Sequence, residues 1–153
     1  MTLYRERLWA SAWWFISTAL VIPAAFLVFL PINVFVGAVV AVGLYAAIVV
    51  GLVLASPIIE VTTEAFIAGR ARLPIEYAGQ VAGFLAEDAA LERGQRLDAR
   101  AWLLIRGWVA PVVTVAVIDP EDPTPYWVVS TRRPEAVVAA MAEAKTRSAN
   151  AAG

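Results

Sequence analysis

From Leu8 to Ile59 the chain carries no Asp, Glu, Lys or Arg. Apolar residues run almost unbroken through two stretches, 9–30 and 34–55. At about 1.5 Å of rise per residue, each makes a helix of roughly 30 Å, the hydrocarbon thickness of a bilayer. Pro31-Ile32-Asn33 separates them. Pro31 ends the first helix, and Asn33 suits the N-cap of the second. A connection this short joins antiparallel neighbours, so residues 9–56 are expected as a transmembrane helical hairpin. Pro23 lies inside the first span and is expected to kink it.

After Pro57 the pattern changes. Ile59, Val61 and Thr63 alternate with Glu60 and Thr62, which is the period of a half-buried strand. Ala65–Ala68 forms a second short strand, and Gly69-Arg70 turns it back. Ala71, Leu73, Ile75 and Tyr77 then alternate with Arg72, Pro74 and Glu76. Further strands are expected over 79–85, 100–108, 112–118 and 126–131. The charged stretch 87–98 lacks alternation and reads as a loop with at most one helical turn. From Pro134 the period becomes helical: Pro134, Val137, Val138 and Met141 share one face. Pro134 suits the first helical position and Glu135 the positive end of the dipole. The helix is expected to run to Lys145, with 148–153 as a flexible tail.

The organisation that follows is a short N-terminus (1–8), the hairpin (9–56), and a β-rich domain with a C-terminal helix (57–147). Six or seven short strands and then a helix match a small antiparallel barrel of the pleckstrin-homology type. The expected fold class is therefore an α+β membrane protein. Order of elements alone does not assign a function.

Composition sharpens this. Hydrophobic residues make up 61% and charged residues 16% of the 153 residues, against about 25% charged in a typical soluble chain. The deficit falls wholly within the hairpin. Arg5 and Arg7 precede it, Arg70 and Arg72 follow it, and the turn between the helices has no basic residue. The bias of Lys and Arg toward the cytoplasmic side places both termini in the cytoplasm, with the chain multi-pass in the inner (plasma) membrane. Trp9, Trp13 and Trp14 cluster at the cytoplasmic end of the first span, where an aromatic interface belt belongs. Gly43, Ala47, Gly51 and Ala55 recur every four residues and let another helix approach closely. Their neighbour is either the first span or a helix of a second copy or another membrane protein.

The net charge of −1 gives no broad basic surface for nucleic acid. With no Cys and no His, there is no disulfide framework, no thiolate site and no side chain that titrates near neutrality. No cofactor motif or phosphate loop appears. Asp119, Glu121 and Asp122 sit among prolines between two strands and read as a solvated turn; with Tyr126 and Trp127 they form a candidate partner surface. Trp102 and Trp108 share one strand face, which points either into the core or outward.

Three segments carry a resemblance. They are Tyr4-Arg5-Glu6-Arg7-Leu8-Trp9, Ala68 through Pro74, and Asp119-Pro120-Glu121-Asp122-Pro123-Thr124-Pro125-Tyr126-Trp127 running on to Ser130-Thr131-Arg132-Arg133-Pro134. In these the chain resembles a family of small actinobacterial membrane proteins catalogued as domain of unknown function family 3093. The resemblance implies an actinobacterial inner-membrane protein and supplies no activity, ligand or catalytic residue. The expected function is a membrane-anchored, non-enzymatic interaction or scaffold module. Its partners are the lipid bilayer and a membrane protein or second copy. The alternative is a membrane-surface sensor of lipid headgroups or another small ligand.

Overall fold

The computed structural model describes residues 1–152. The chain divides into two compact units: Trp9–Ser56, and Met1–Leu8 together with the chain from Pro57 onward.

The first unit is helical. Helix α1 (Ala12–Thr18) and helix α2 (Val21–Phe29) together make up the first apolar span, and helix α3 (Val34–Leu54) is continuous. The break falls at Ala19-Leu20 because Pro23 has no N–H for the Ala19 carbonyl, and its ring crowds that carbonyl. The Ala19 carbonyl accepts from Ile22 N–H instead, at 3.0 Å. The expected kink is thus a local irregularity: Ala19 and Leu20 keep right-handed helical geometry, and Ala12–Phe29 remains one apolar span. Asn33 caps α3, its side chain accepting from the N–H groups of Phe35 and Val36. Together α1–α2 (Ala12–Phe29) and α3 are long and apolar enough to cross a membrane. The helices meet through small residues: Gly37 and Ala41 of α3 and Ala25 of α2 are buried. A Cβ added at Gly37 would lie 3.1 Å from Phe29 Cβ.

The second unit holds eight strands in two four-stranded sheets. The first sheet has the order β1-β2-β3-β4: β1 (Thr2–Arg7), β2 (Ile58–Thr62), β3 (Ala65–Ala68) and β4 (Ala71–Pro74), all antiparallel. The second has the order β5-β7-β8-β6: β5 (Ala78–Phe84), β6 (Trp102–Leu104), β7 (Val112–Val117) and β8 (Tyr126–Ser130). Here β6 runs parallel to β8.

Strand β1 lies in the short N-terminus, expected only as the flank of the first span. It pairs Tyr4 with Val61 and Glu6 with Ile59 across β2. Leu8, just beyond it, is fully buried. The β-rich unit is therefore discontinuous in sequence, with the hairpin inserted between its first two strands.

The expected closed barrel is not formed. Pro74 ends β4, and a 3-10 turn over Ile75–Tyr77 separates it from β5. The long strand read over 71–77 is broken there, and its two halves enter different sheets. The 100–108 strand shrinks to three residues. The Asp98 carboxylate draws the Arg100 N–H into a local turn, and Gly107 disfavours a longer strand. The charged stretch after β5 holds an eight-residue helix, α4 (Ala86–Arg93), with Glu87 and Asp88 in its first turn.

Helix α5 (Pro134–Ala152) runs past Lys145 through the stretch expected as a tail, where alanine, the strongest helix former, recurs. Val137, Ala140, Met141 and Ala144 are its buried face. They join Leu8, Ile59, Val61, Phe66, Val113, Val115, Trp127 and Val129 in one core. Burying each Val or Met is worth about 1.5–3 kcal/mol. A smaller cluster of Ala89, Val112 and Val128 sits under α4.

Candidate functional site

The best-defined polar constellation of the β-rich unit joins its first strand to the end of β8. Glu6 is buried because it lies on the same face of β1 as Tyr4 and Leu8, the face turned to the core. A buried carboxylate is costly unless its oxygens are satisfied. Glu6 accepts from the Tyr4 hydroxyl at 2.8 Å, the Thr131 hydroxyl at 2.7 Å, the Arg132 N–H at 3.2 Å and the Arg132 guanidinium at 3.5 Å. Arg132 also reaches the Arg7 carbonyl. The Arg133 guanidinium lies 5.9 Å from the centre of the Tyr4 ring, within cation–π range. Burial pushes the Tyr4 phenol above its ordinary pKa; the Thr131 hydrogen bond opposes the rise and the Glu6 carboxylate adds to it.

These contacts span 125 residues of sequence. They bring together the Tyr4–Trp9 and Ser130–Pro134 segments that carry the family resemblance. None of Glu6, Thr131 and Arg132 stands out in the sequence as a site residue. The available signal is the alternation Tyr4, Glu6, Leu8, which places a carboxylate between two core residues. Nearby, the Trp108 indole donates to the Leu8 carbonyl at 3.1 Å. Among the described residues no buried side-chain nitrogen or oxygen lacks a hydrogen-bond partner. The constellation is a clasp that fixes β1 to the second sheet.

The residues singled out from sequence are placed differently. Gly43, Ala47, Gly51 and Ala55 are all exposed. A Cβ at Gly43 or Gly51 would meet nothing within 4 Å. The small residues that pack within the hairpin are one stripe over, at Gly37 and Ala41. Periodicity identifies which residues share a face but not which face the neighbour takes. Trp9, Trp13 and Trp14 are exposed at the start of the helical unit.

The candidate partner surface divides. Asp119, Glu121 and Asp122 occupy the turn between β7 and β8. Asp119 accepts from Glu121 N–H and Asp122 from Thr124 N–H. Hydrogen bonds from Thr124 hold the Asp122 carboxyl below its ordinary pKa. Among the described residues no three Asp or Glu converge as cation ligands. Tyr126 turns inward, its hydroxyl accepting from Asp98 N–H at 2.8 Å. Trp127 is buried, with its ring centre 4.3 Å from Trp102 and 6.1 Å from Phe66, and so is no surface residue. Trp127 lies on the face of β8 turned to the main core, while α4 covers the Val128 face. Trp102 and Trp108 likewise pack against the core.

Two further features lie outside the clasp. Lys145 donates to the Gly79 carbonyl, and partial burial lowers its ammonium pKa. A cleft of about 320 Å³ opens between Leu85 and the start of α5, bordered by Arg132, Arg133 and Glu135. No nucleophile stands beside a base in either place.

No curated protein and no solved structure matches the chain. Residues 3–141 match the family model described as Protein of unknown function (DUF3093). That span takes in all of β1 but Thr2, both apolar stretches, every other strand and the buried face of α5 as far as Met141, so the chain belongs to this family.

Proposed function

We propose that the protein is a membrane-anchored, non-enzymatic interaction module, with the hairpin as its anchor and the β-rich unit as its cytoplasmic working part. One observation carries the reading. The helical unit leaves its large apolar side chains outside, with Phe35 76%, Leu54 80% and Trp13 71% exposed. Only 6% and 11% of the two apolar windows are buried. A core helix of a soluble protein hides such residues, and an apolar surface this continuous needs lipid or protein around it. The arginines flanking the hairpin and the arginine-free turn support cytoplasmic ends. Trp9, Trp13 and Trp14 then lie at the interface. The non-enzymatic reading is supported by the state of the polar groups, which are either fully engaged, as at Glu6, or held in exposed turns, as at Asp119.

The test uses the absence of native cysteine. Single cysteines replace Ile32, in the exposed turn between the helices, and Asn150, exposed near the C-terminus. In intact cells a membrane-impermeant maleimide should label Ile32→Cys, and should label Asn150→Cys only after permeabilisation. The protein should also resist alkaline carbonate extraction. Release by carbonate removes the anchor; the reverse labelling pattern reverses the orientation.

A further inference from the structure

We propose that the outer face of the second sheet carries a binding site for a small aromatic ligand bearing an amine or amidine group, on a shelf of Ala82, Thr114 and Ala116 beside α4. The site lies wholly within the β-rich unit, so it stands or falls apart from the membrane reading above.

The shelf follows from strand register. Val113 and Val115 of β7 face the main core, so Thr114 and Ala116 face away from it. Phe84, Val112 and Ser130 form one outward row across the sheet. Ala82, Thr114 and Val128 form the next, and Ala116 lies opposite Tyr126 in the third. Helix α4 covers Val112 and Val128 through Ala89. It stops short of the remaining positions, where a cleft of about 330 Å³ opens. That volume is at the low end for small-molecule sites.

The floor is small where a strand favours larger residues. Alanine is depleted in strands, yet Ala82 and Ala116 lie there half-buried. Phe84 and Tyr126 border the cleft. The Tyr126 hydroxyl is held in place, accepting from Asp98 N–H and donating to the Arg96 carbonyl. A flat ring fits such a floor between aromatic borders.

The polar groups set the other end of the ligand. Thr114 and Gln80 also border the cleft. Unlike the groups of the clasp, their side chains make no hydrogen bond among the described residues. Glu92 of α4 supplies the charge. Its side chain is only 14% exposed, and Arg96 holds one carboxylate oxygen at 3.1 Å. Asp88 shares that guanidinium at 3.9 Å, which divides it between two acids. The other cation of α4, Arg93, is turned back to the Ala89 carbonyl. The second oxygen of Glu92 therefore suits a ligand that donates N–H bonds and carries positive charge, and it disfavours an anionic ring.

Ala86 fixes the wall. Its φ of 45° lies in the left-handed region, uncommon for a residue with a Cβ. It turns the chain from β5 straight into α4, and so sets Glu92, within two helical turns, at the cleft. Strain of this kind is held where a ligand is clamped.

The test uses the full chain in detergent micelles, with benzamidine as the probe and amide NMR shifts as the readout. Benzamidine should shift the amides of Ala82, Thr114 and Ala116 saturably, with a Kd of about 0.1–1 mM, as expected for so small a ligand. Benzoate has the same ring and the opposite charge; acetamidine has the charge and no ring. Each should bind about tenfold more weakly. Ala82→Leu fills the floor and should abolish the shifts. Glu92→Gln should weaken binding about tenfold and Thr114→Val about threefold, the usual worth of a charged and a neutral hydrogen bond. Thr114→Val keeps the shape of the side chain, so it decides the matter even where Ala82→Leu disturbs the sheet. Glu76→Gln, in a separate cleft, should leave binding unchanged. Absence of a saturable shift at these amides, equal affinity for benzoate, or full affinity in Glu92→Gln overturns the site, and none of these outcomes bears on the anchor.

Discussion

The two units treat the same kinds of side chain in opposite ways. In the β-rich unit Phe66, Ile59, Met141 and the valines of β7 and β8 are fully buried. In the helical unit Leu20, Leu27, Phe35 and Leu54 face outward, and the buried positions within its helices are Ala25, Gly37 and Ala41. One unit hides large residues and shows polar ones. The other closes on small residues and shows large ones. Mean hydropathy separates the two stretches, and the direction of burial separates them again. Water drives the first arrangement, whereas close backbone packing without a hydrophobic drive suits the second.

The sharpest way to break the comparison is to treat the β-rich unit as a continuous domain. The fragment 57–147 lacks β1, Leu8 and Glu6, so β2 becomes an open edge. It should not show a cooperative melt. Joining residues 1–8 to residue 57 through a short glycine-rich turn should restore one, read by circular dichroism and amide NMR dispersion. A cooperative fold in the bare fragment would show that β1 is an accessory.

Next in size is the core. Met141 is fully buried on α5, so Met141→Ala should cost about 2–5 kcal/mol in denaturant unfolding of the rejoined domain. Met141→Asp should abolish the fold. The clasp comes third. Glu6→Gln keeps the shape and removes the charge received by Thr131, Tyr4 and Arg132, and should cost about 1.5–3 kcal/mol by the same measurement. An unchanged midpoint would mean that Arg132 carries no weight there.

The smallest effect sharpens the helical side. Gly37→Leu should weaken the α2–α3 contact, because its Cβ meets Phe29, by about 1–3 kcal/mol as for other overpacked sites. Gly43→Leu should leave hairpin stability unchanged. Steric trapping in bicelles distinguishes the two, and equal losses would return the Gly43 stripe to the inside of the hairpin.

What is legible in the sequence is local. The helical stretches, the Asn33 cap, the Ala65–Ala68 strand and the Gly69 turn depend on neighbours within a few residues, and all are found. Pairing is not local. β1 reads as a charged flank because its partner lies beyond the hairpin, about fifty residues away. The barrel fails at Pro74, where alternation continues through a 3-10 turn that no longer pairs. Trp127 reads as a surface residue because it follows the acidic, proline-rich turn, whereas the core that buries it is assembled from strands distant in sequence. The clasp is invisible for the same reason as β1: Glu6 and Thr131 become neighbours only once both sheets exist.

The insertion of the hairpin between β1 and β2 also sets a schedule for synthesis. The first eight residues leave the ribosome with nothing to pair with. At about 5–20 residues per second, Pro57 follows only after some seconds. By then the apolar stretch has itself emerged. A free chain of that length pays a closure cost that grows as the logarithm of its length; a hairpin already folded has both of its ends side by side. Once folded, the two apolar helices therefore act as the clamp that delivers β1 to β2. A mutation that delays hairpin formation should slow maturation of a domain whose own sequence is untouched.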